Sequence, residues 1–221
     1  MNLLILGPLA SGKGAQAEKL VKKFNLAYVE MGGLLRKIAQ EKSPLGQKVN
    51  HYINVLGQLV PDEVIIEVIN DYLKNIGRLD GILFDGFPRI ISQAEYFEKF
   101  LAQNKKKIDL VVFLELPKEE IFKRLANRRI CQKCGKTYNL LTVPSKKPGV
   151  CDFCGGELIV RSDETPERIT SRLGWFEKQV RPLIEYYRKR GLLEEVDGDR
   201  PIEVVYEDIL GRLKKRGLLD S

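Results

Sequence analysis

The chain has no apolar run long enough to cross a bilayer. Its longest, Leu3 to Leu6 and Leu110 to Leu114, are a fraction of the roughly 20 residues a spanning helix needs. It also lacks a basic N-terminal stretch leading into a long apolar segment, so no signal peptide is expected and a cytoplasmic location is. There is one histidine, His51, beside Tyr52 and away from every motif below, which leaves it as an ordinary helix histidine and not a general base. There is one tryptophan, Trp175, read as packing. No internal repeat and no low-complexity segment interrupts the 221 residues, whose length suits one α/β domain with small insertions. Only four cysteines occur, and in a reducing compartment they point to metal binding in preference to disulfides.

Charge is plentiful, with 30% Asp, Glu, Lys and Arg and a net +7. A basic balance fits a polyanionic partner, but here the cations are spread along the chain. The densest run, Lys105-Lys106-Lys107, sits in a polar connector. The charge is therefore read as a solvated surface, with no nucleic-acid or membrane partner expected.

Short apolar segments alternate with helical patterns. Asn2 to Leu6, Leu26 to Val29, Gly81 to Phe84, Asp109 to Leu114 and Leu193 to Val196 read as five strands, almost continuously apolar as parallel strands covered on both faces are. Pro61, Asp62 and Glu63 open a helix that Gly77 closes, and Thr165-Pro166-Glu167 opens another that stops at Gly191, with a kink expected at Pro182. A last helix starts near Pro201. The alternation predicts a three-layer α/β fold: a five-stranded parallel sheet with helices on both faces. Two stretches break the rhythm, a helical insertion over 30–60 and a Gly- and Pro-rich segment over 130–162 that holds every cysteine. The core is then 1–29, 61–129 and 163–221.

Gly7-Pro8-Leu9-Ala10-Ser11-Gly12-Lys13-Gly14 follows the first strand and precedes a helix from Ala15 to Phe24. It matches the phosphate-binding loop G-x-x-x-x-G-K in the context that motif requires. Glycines let successive N–H groups converge on one anion, the helix adds its positive end, and Lys13 reaches the β and γ phosphates. Ser or Thr usually follows the lysine to hold Mg²⁺; here Gly14 and Ala15 do, so Mg²⁺ is held mainly by nucleotide and water. Asp85, ending an apolar strand, is the candidate that orients it.

Cys131-x2-Cys134, sixteen residues, then Cys151-x2-Cys154 is a zinc pattern. Four thiolates fill a tetrahedral Zn²⁺ and leave no open position, so the site reads as structural. Gly135, Gly155 and Gly156 permit the turns, and metal supplies much of the folding free energy of so small an insert.

The Gly-Lys-Gly loop, Asp85-Gly86-Phe87-Pro88-Arg89 and the arginines bracketing the cysteine insert together resemble adenylate kinase, over essentially the whole chain. The cysteine insert resembles the zinc-bearing lid of some members. The resemblance implies reversible phosphoryl transfer from MgATP to AMP giving two ADP, by a monomer with a P-loop core, an AMP-binding insertion at 30–60 and a lid at 130–162. It implies that Lys13 stabilises the transferring group, and that Ala10, Ser11, Gly12, Gly14 and Ala15 complete the ATP phosphate site. Thr137, Tyr138 and Arg200 flank the ATP adenine. Arg36 and Arg89 clamp the AMP phosphate, Gln93 hydrogen-bonds its adenine, and Gly86, Met31 and the stretch Gln58, Leu59 and Val60 border AMP. Arg124 and Arg128 before the lid, and Arg161 and Arg172 after it, close on the phosphates. Phosphoryl transfer needs positioning and charge neutralisation more than covalent help, which is why arginines suit it.

Relatives usually read T-G-D where this chain has Met31-Gly32-Gly33. A thioether donates no hydrogen bond, so one side-chain contact to AMP is lost or passes to backbone or water. Three rivals compete. A UMP- or CMP-type kinase is suggested by Met31 and Gly33, against Gln93 and the long insert. A nucleic-acid-binding zinc ribbon leaves the phosphate loop unexplained. A nucleotide-binding protein without transfer would bind ATP and turn nothing over.

Overall fold

The computed structural model describes residues 1–56, 60–161 and 164–219. β1 (Asn2–Leu6) is buried throughout and runs through a tight loop into α1 (Lys13–Phe24). β2 (Ala27–Glu30) leads into α2 (Met31–Ile38) and α3 (Pro44–Asn50), continued by a wider i→i+5 turn over His51–Val55. α4 (Asp62–Ile76) carries Asp62 and Glu63 in its first turn and ends at Gly77. There follow β3 (Ile82–Asp85), α5 (Ile91–Gln103), β4 (Leu110–Glu115) and α6 (Lys118–Ala126). The cysteine insert holds β5 (Arg128–Cys131), β6 (Thr137–Asn139) and β7 (Leu158–Ile159). α7 (Pro166–Trp175), α8 (Arg181–Lys189), β8 (Leu193–Asp197) and α9 (Ile202–Lys215) complete the chain.

The five predicted strands form one sheet in the order β2-β3-β1-β4-β8, every pairing parallel. Side-chain alternation sorts their apolar residues into two layers even though nearly all are buried. Leu4, Leu6, Phe84 and Phe113 face a core shared with α4, α5 and α8, while Leu3, Ile5, Val112 and Val196 face one shared with α1 and α9. A third, smaller cluster joins α6 to α7 through Ile121, Leu125, Ile169 and Leu173 and rests on Leu9 and Ala10 of the loop. The two helices that carry the cysteine insert thus pack on each other and on the phosphate loop.

One expectation changes and one gains detail. Pro182 does not act as a simple kink: just before it the chain makes an i→i+5 turn over Phe176–Val180, and α8 continues from it. Proline has no N–H for the Lys178 carbonyl and its ring crowds that group, so a widened turn absorbs the mismatch. The cysteine insert, read as lacking a helical period, is a three-stranded antiparallel sheet in the order β6-β5-β7. His51 is exposed, and Trp175 packs half-buried against the larger core.

At the edge strand β8, α9 is tied down by alternating charges. Arg200 and Arg212 both bond Asp208, at 2.6 and 2.8 Å, and Arg212 reaches Glu194 at 2.8 Å. Arg216 bonds Glu194 at 2.8 Å and the Gly191 carbonyl at 2.6 Å.

Candidate active site

The phosphate loop turns on two residues in the left-handed region, Ala10 at φ 58° and Gly12 at φ 90°, the latter capping α1. No acidic residue stands in the first turn of α1, so its free N–H groups and positive end point at the loop without internal competition. Lys13 curls back over the loop, its Nζ donating to the Gly7 and Pro8 carbonyls at 2.8 Å each and reaching Ser11 Oγ at 3.4 Å. Burial pushes its pKa down to about 8; Asp85 opposes that shift, and the charges of Arg89, Arg128 and Arg172 add to it. Four charged groups outside the loop therefore act on the charge of Lys13.

Four of the five strands end on an acid at the carboxyl edge of the sheet. Glu30 pairs in register with Asp85, and Glu115 with Asp197. Asp85 is buried, which raises its carboxyl pKa, and its Oδ2 accepts a 3.0 Å hydrogen bond from the Tyr28 hydroxyl. Beyond it the chain turns through Gly86 and a cis Phe87–Pro88 peptide to Arg89, whose Nε donates to the Gly86 carbonyl at 2.8 Å. The buried Gln93 is fixed at both ends: its Oε1 accepts from the Arg89 N–H at 2.9 Å and its Nε2 donates to Asp62 Oδ1 at 2.7 Å.

Met31 is only 1% exposed and belongs to the larger core, so its thioether packs inward and leaves only backbone toward any ligand. Arg36 is exposed, with Nη2 3.4 Å from Glu30. Val60 is half-buried, while Gln58 and Leu59 lie outside the described residues.

Arg124 leans over the loop, bonding Glu120 at 3.1 Å, Asp199 at 3.0 Å and the Ala10 carbonyl at 3.5 Å. Arg128 and Arg161, from opposite ends of the cysteine insert, both ion-pair with the buried Glu164. Arg172 makes its presence felt through its charge on Lys13 and Arg89. Arg200 is held by Asp208 and the Asp197 carbonyl. Thr137 is exposed. Tyr138 is not: its ring packs with Cys131, Cys151 and Leu158, and its hydroxyl lies 3.4 Å from Cys151 Sγ and accepts from the Asp152 N–H at 2.8 Å.

The four cysteines converge, their sulfurs all within 4.8 Å of one another. Cys131 and Cys154 sulfurs are 3.4 Å apart and those of Cys134 and Cys151 3.6 Å, too far for disulfides. They are near the spacing of about 3.8 Å that four sulfurs at ~2.3 Å from a tetrahedral metal adopt. The two halves repeat one geometry: Gly135 N–H bonds the Cys131 carbonyl and Gly155 N–H the Cys151 carbonyl, each at 2.9 Å, with φ of 74° and 70°. Those left-handed turns aim both thiols of each C-x-x-C at a common centre. The donor set fits a closed four-thiolate metal site.

Among the partners that escaped the sequence reading are Glu30, Tyr28, Asp62 and Glu164. Asp62 looked like a helix-start acid only, and Glu30 stands next to the unusual Met31-Gly32-Gly33, ending an apolar strand just as Asp85 does. That shared position was the available signal.

A family model described as adenylate kinase matches residues 5–192. Relatives named adenylate kinase include one from Carboxydothermus hydrogenoformans, 44% identical over 97% of this chain and all of its own length. Another, from Methanothrix thermoacetophila, is 41% identical over 97% of this chain and 99% of its own. A third, from Staphylococcus epidermidis, is 39% identical over 95% and 97% respectively.

Proposed function

The chain belongs to the adenylate kinase family of nucleoside-monophosphate phosphotransferases, and from that premise we propose that it transfers the γ-phosphoryl group of ATP to AMP, giving two ADP. The observation that carries this reading is the phosphate loop itself: Lys13 seated on the Gly7 and Pro8 carbonyls at the head of α1, with Asp85 ending the strand paired to β1 and Arg89 following it. An oxygen of the AMP phosphate attacks the γ-phosphorus while the bond to the β–γ bridging oxygen breaks. The attacking oxygen is already anionic, so no general base is required; catalysis reduces to alignment and charge neutralisation. Lys13 and the α1 amides take the charge of the ATP phosphates, with Ala10, Ser11, Gly12, Gly14 and Ala15 shaping their seat. Arg124, Arg128, Arg161 and Arg172 take the charge on the transferring group. Arg36 and Arg89 hold the acceptor phosphate and Gln93, locked by Asp62, presents its amide to the acceptor base. Toward the ATP adenine, Thr137 and Tyr138 act through backbone, and Arg200 borders it.

Mg²⁺ bound with ATP supplies neutralisation of the β and γ phosphates. Asp85, its Oδ2 fixed by Tyr28, is the carboxylate placed to orient that ion's water shell. Zn²⁺ is the metal we assign to the four thiolates, in a structural role. The core is 1–29, 61–129 and 163–221, with 30–60 receiving AMP and 130–162 closing over ATP to exclude water; lids of adenylate kinases are a known instance of such closure. We take the protein to act as a cytoplasmic monomer without nucleic-acid partners. Among the described residues no helix is long and apolar enough to cross a membrane.

The test is a coupled assay of ADP formation from MgATP with AMP, UMP, CMP and GMP. AMP is expected to give the highest kcat/KM. UMP or CMP outrunning it would reverse the acceptor assignment, and ATP binding without transfer to any of the four would overturn the reaction.

A further inference from the structure

β2 ends on an acid whose side chain folds back over the helix it introduces. Glu30 precedes α2, and its Oε2 accepts the Gly33 N–H at 2.6 Å. The same oxygen lies 3.4 Å from Arg36 Nη2, one turn further along the helix. Gly32 and Gly33, which lie between them, cannot carry ordinary side chains while this holds. A β-carbon on Gly33 would collide with Glu30 Oε2, and one on Gly32 would sit 2.7 Å from Oε1 and 3.2 Å from Arg36 Nη1. The Gly32-Gly33 pair is therefore the space that admits the carboxylate. Neither glycine is at positive φ, so backbone freedom does not account for them.

The Glu30–Arg36 pair is about half exposed at both ends, 41% and 55%. Such a pair is too well solvated to keep the guanidinium from an arriving phosphate dianion. It sets where that guanidinium waits. Glu30 also stands in register with Asp85, and its charge bears on Arg89. One carboxylate thus touches the start of α2 and acts on both arginines given to the acceptor phosphate.

Resting on the assignment of Arg36 and Arg89 to AMP, we propose that Glu30 is a positioning residue for the acceptor: its carboxylate caps α2 at Gly33, holds Arg36 in place for the phosphate, and requires glycine at 33. Gly33 is then the position that gives the residue-30 carboxylate access to the start of the helix.

The test is a double-mutant cycle on the full chain, with KM for AMP, KM for ATP and kcat each measured at saturating co-substrate, and melting followed in parallel. A methyl at 33 meets only the tip of a flexible side chain, so Gly33→Ala evicts the carboxylate without unfolding the helix. Glu30→Ala and Gly33→Ala are each expected to raise KM for AMP about fivefold, the scale of a lost N-cap, with KM for ATP and kcat within about twofold. The double variant should be no worse than either single one. Glu30→Gln, which keeps a capping oxygen and loses the charge beside Arg36, should fall between wild type and Glu30→Ala. Additive effects in the double variant, an unchanged KM for AMP in Glu30→Ala, or equal rises in both KM values would each overturn the proposal. Absence of AMP-dependent turnover in the wild type would remove the assignment beneath it before any variant is made.

Discussion

At mildly alkaline pH, nucleotide binding is expected to draw a proton onto the protein, and Lys13 is where it goes. Without phosphates beside it, burial holds this amine at about 8, against an ordinary value of 10.5. It then carries about nine-tenths of a proton at pH 7, half at pH 8 and a tenth at pH 9. Phosphate oxygens beside Nζ restore the charge, so uptake on binding ATP should be about 0.1, 0.5 and 0.9 protons at those three values. Affinity should fall by about fivefold between pH 8 and 9. Ligand-free stability moves the other way. The folded value lies below the unfolded one, so the cost of burying the charge is fully present below pH 8. It is relieved as pH rises through 8 to 10.5, by about 3 kcal/mol at full scale. Titration calorimetry in buffers of differing ionisation enthalpy reads the uptake directly, with Lys13→Met as the control that should abolish it and lower kcat by at least about 100-fold. Uptake near zero at pH 8.5, or equal uptake in Lys13→Met, would refute the reasoning.

Two further predictions concern the insert and the acceptor half. Chelating the metal, or Cys151→Ser, should speed amide exchange across 130–161 while the main sheet stays protected, since structural zinc modules draw on the order of 10 kcal/mol from their metal; unchanged exchange in the insert would exclude a structural metal. Asp62→Ala frees the Gln93 amide and should raise KM for AMP about tenfold, the scale of a hydrogen bond to a charged group, with KM for ATP unaltered. Equal rises in both KM values would show that Asp62 serves only helix α4.

The five strands of the main sheet were legible to within one residue, and the shifts are instructive. Apolar runs gave Leu26 to Val29 and Gly81 to Phe84, whereas the ladders run Ala27–Glu30 and Ile82–Asp85. A hydrophobic criterion stops at the last apolar side chain, but parallel pairing continues one residue further, onto the acid that faces the crevice. The phosphate loop and the cysteine pairs were readable because their spacing is itself the geometry. Tyr138 was not, because which side of a three-residue strand faces the thiols depends on a register fixed by the C-x-x-C turns and not by hydrophobic alternation. Asp62 and Gln93 lie 31 residues apart, and Arg128 and Glu164 36, so only the folded chain shows them as pairs.

The charged ladder from α9 to β8 has a bearing on how the molecule meets heat. β8 is the outer strand of the sheet, and Arg216 covers the carbonyl of Gly191 just ahead of it. A guanidinium along that border discourages another chain from adding a strand there. The hydration of ions weakens as temperature rises, so the penalty for drawing these five side chains together shrinks while their mutual attraction persists. Arg200, Asp208, Arg212, Glu194 and Arg216 therefore count for more in hot water than in cold, holding the sheet border closed under the conditions in which exposed strands are most hazardous.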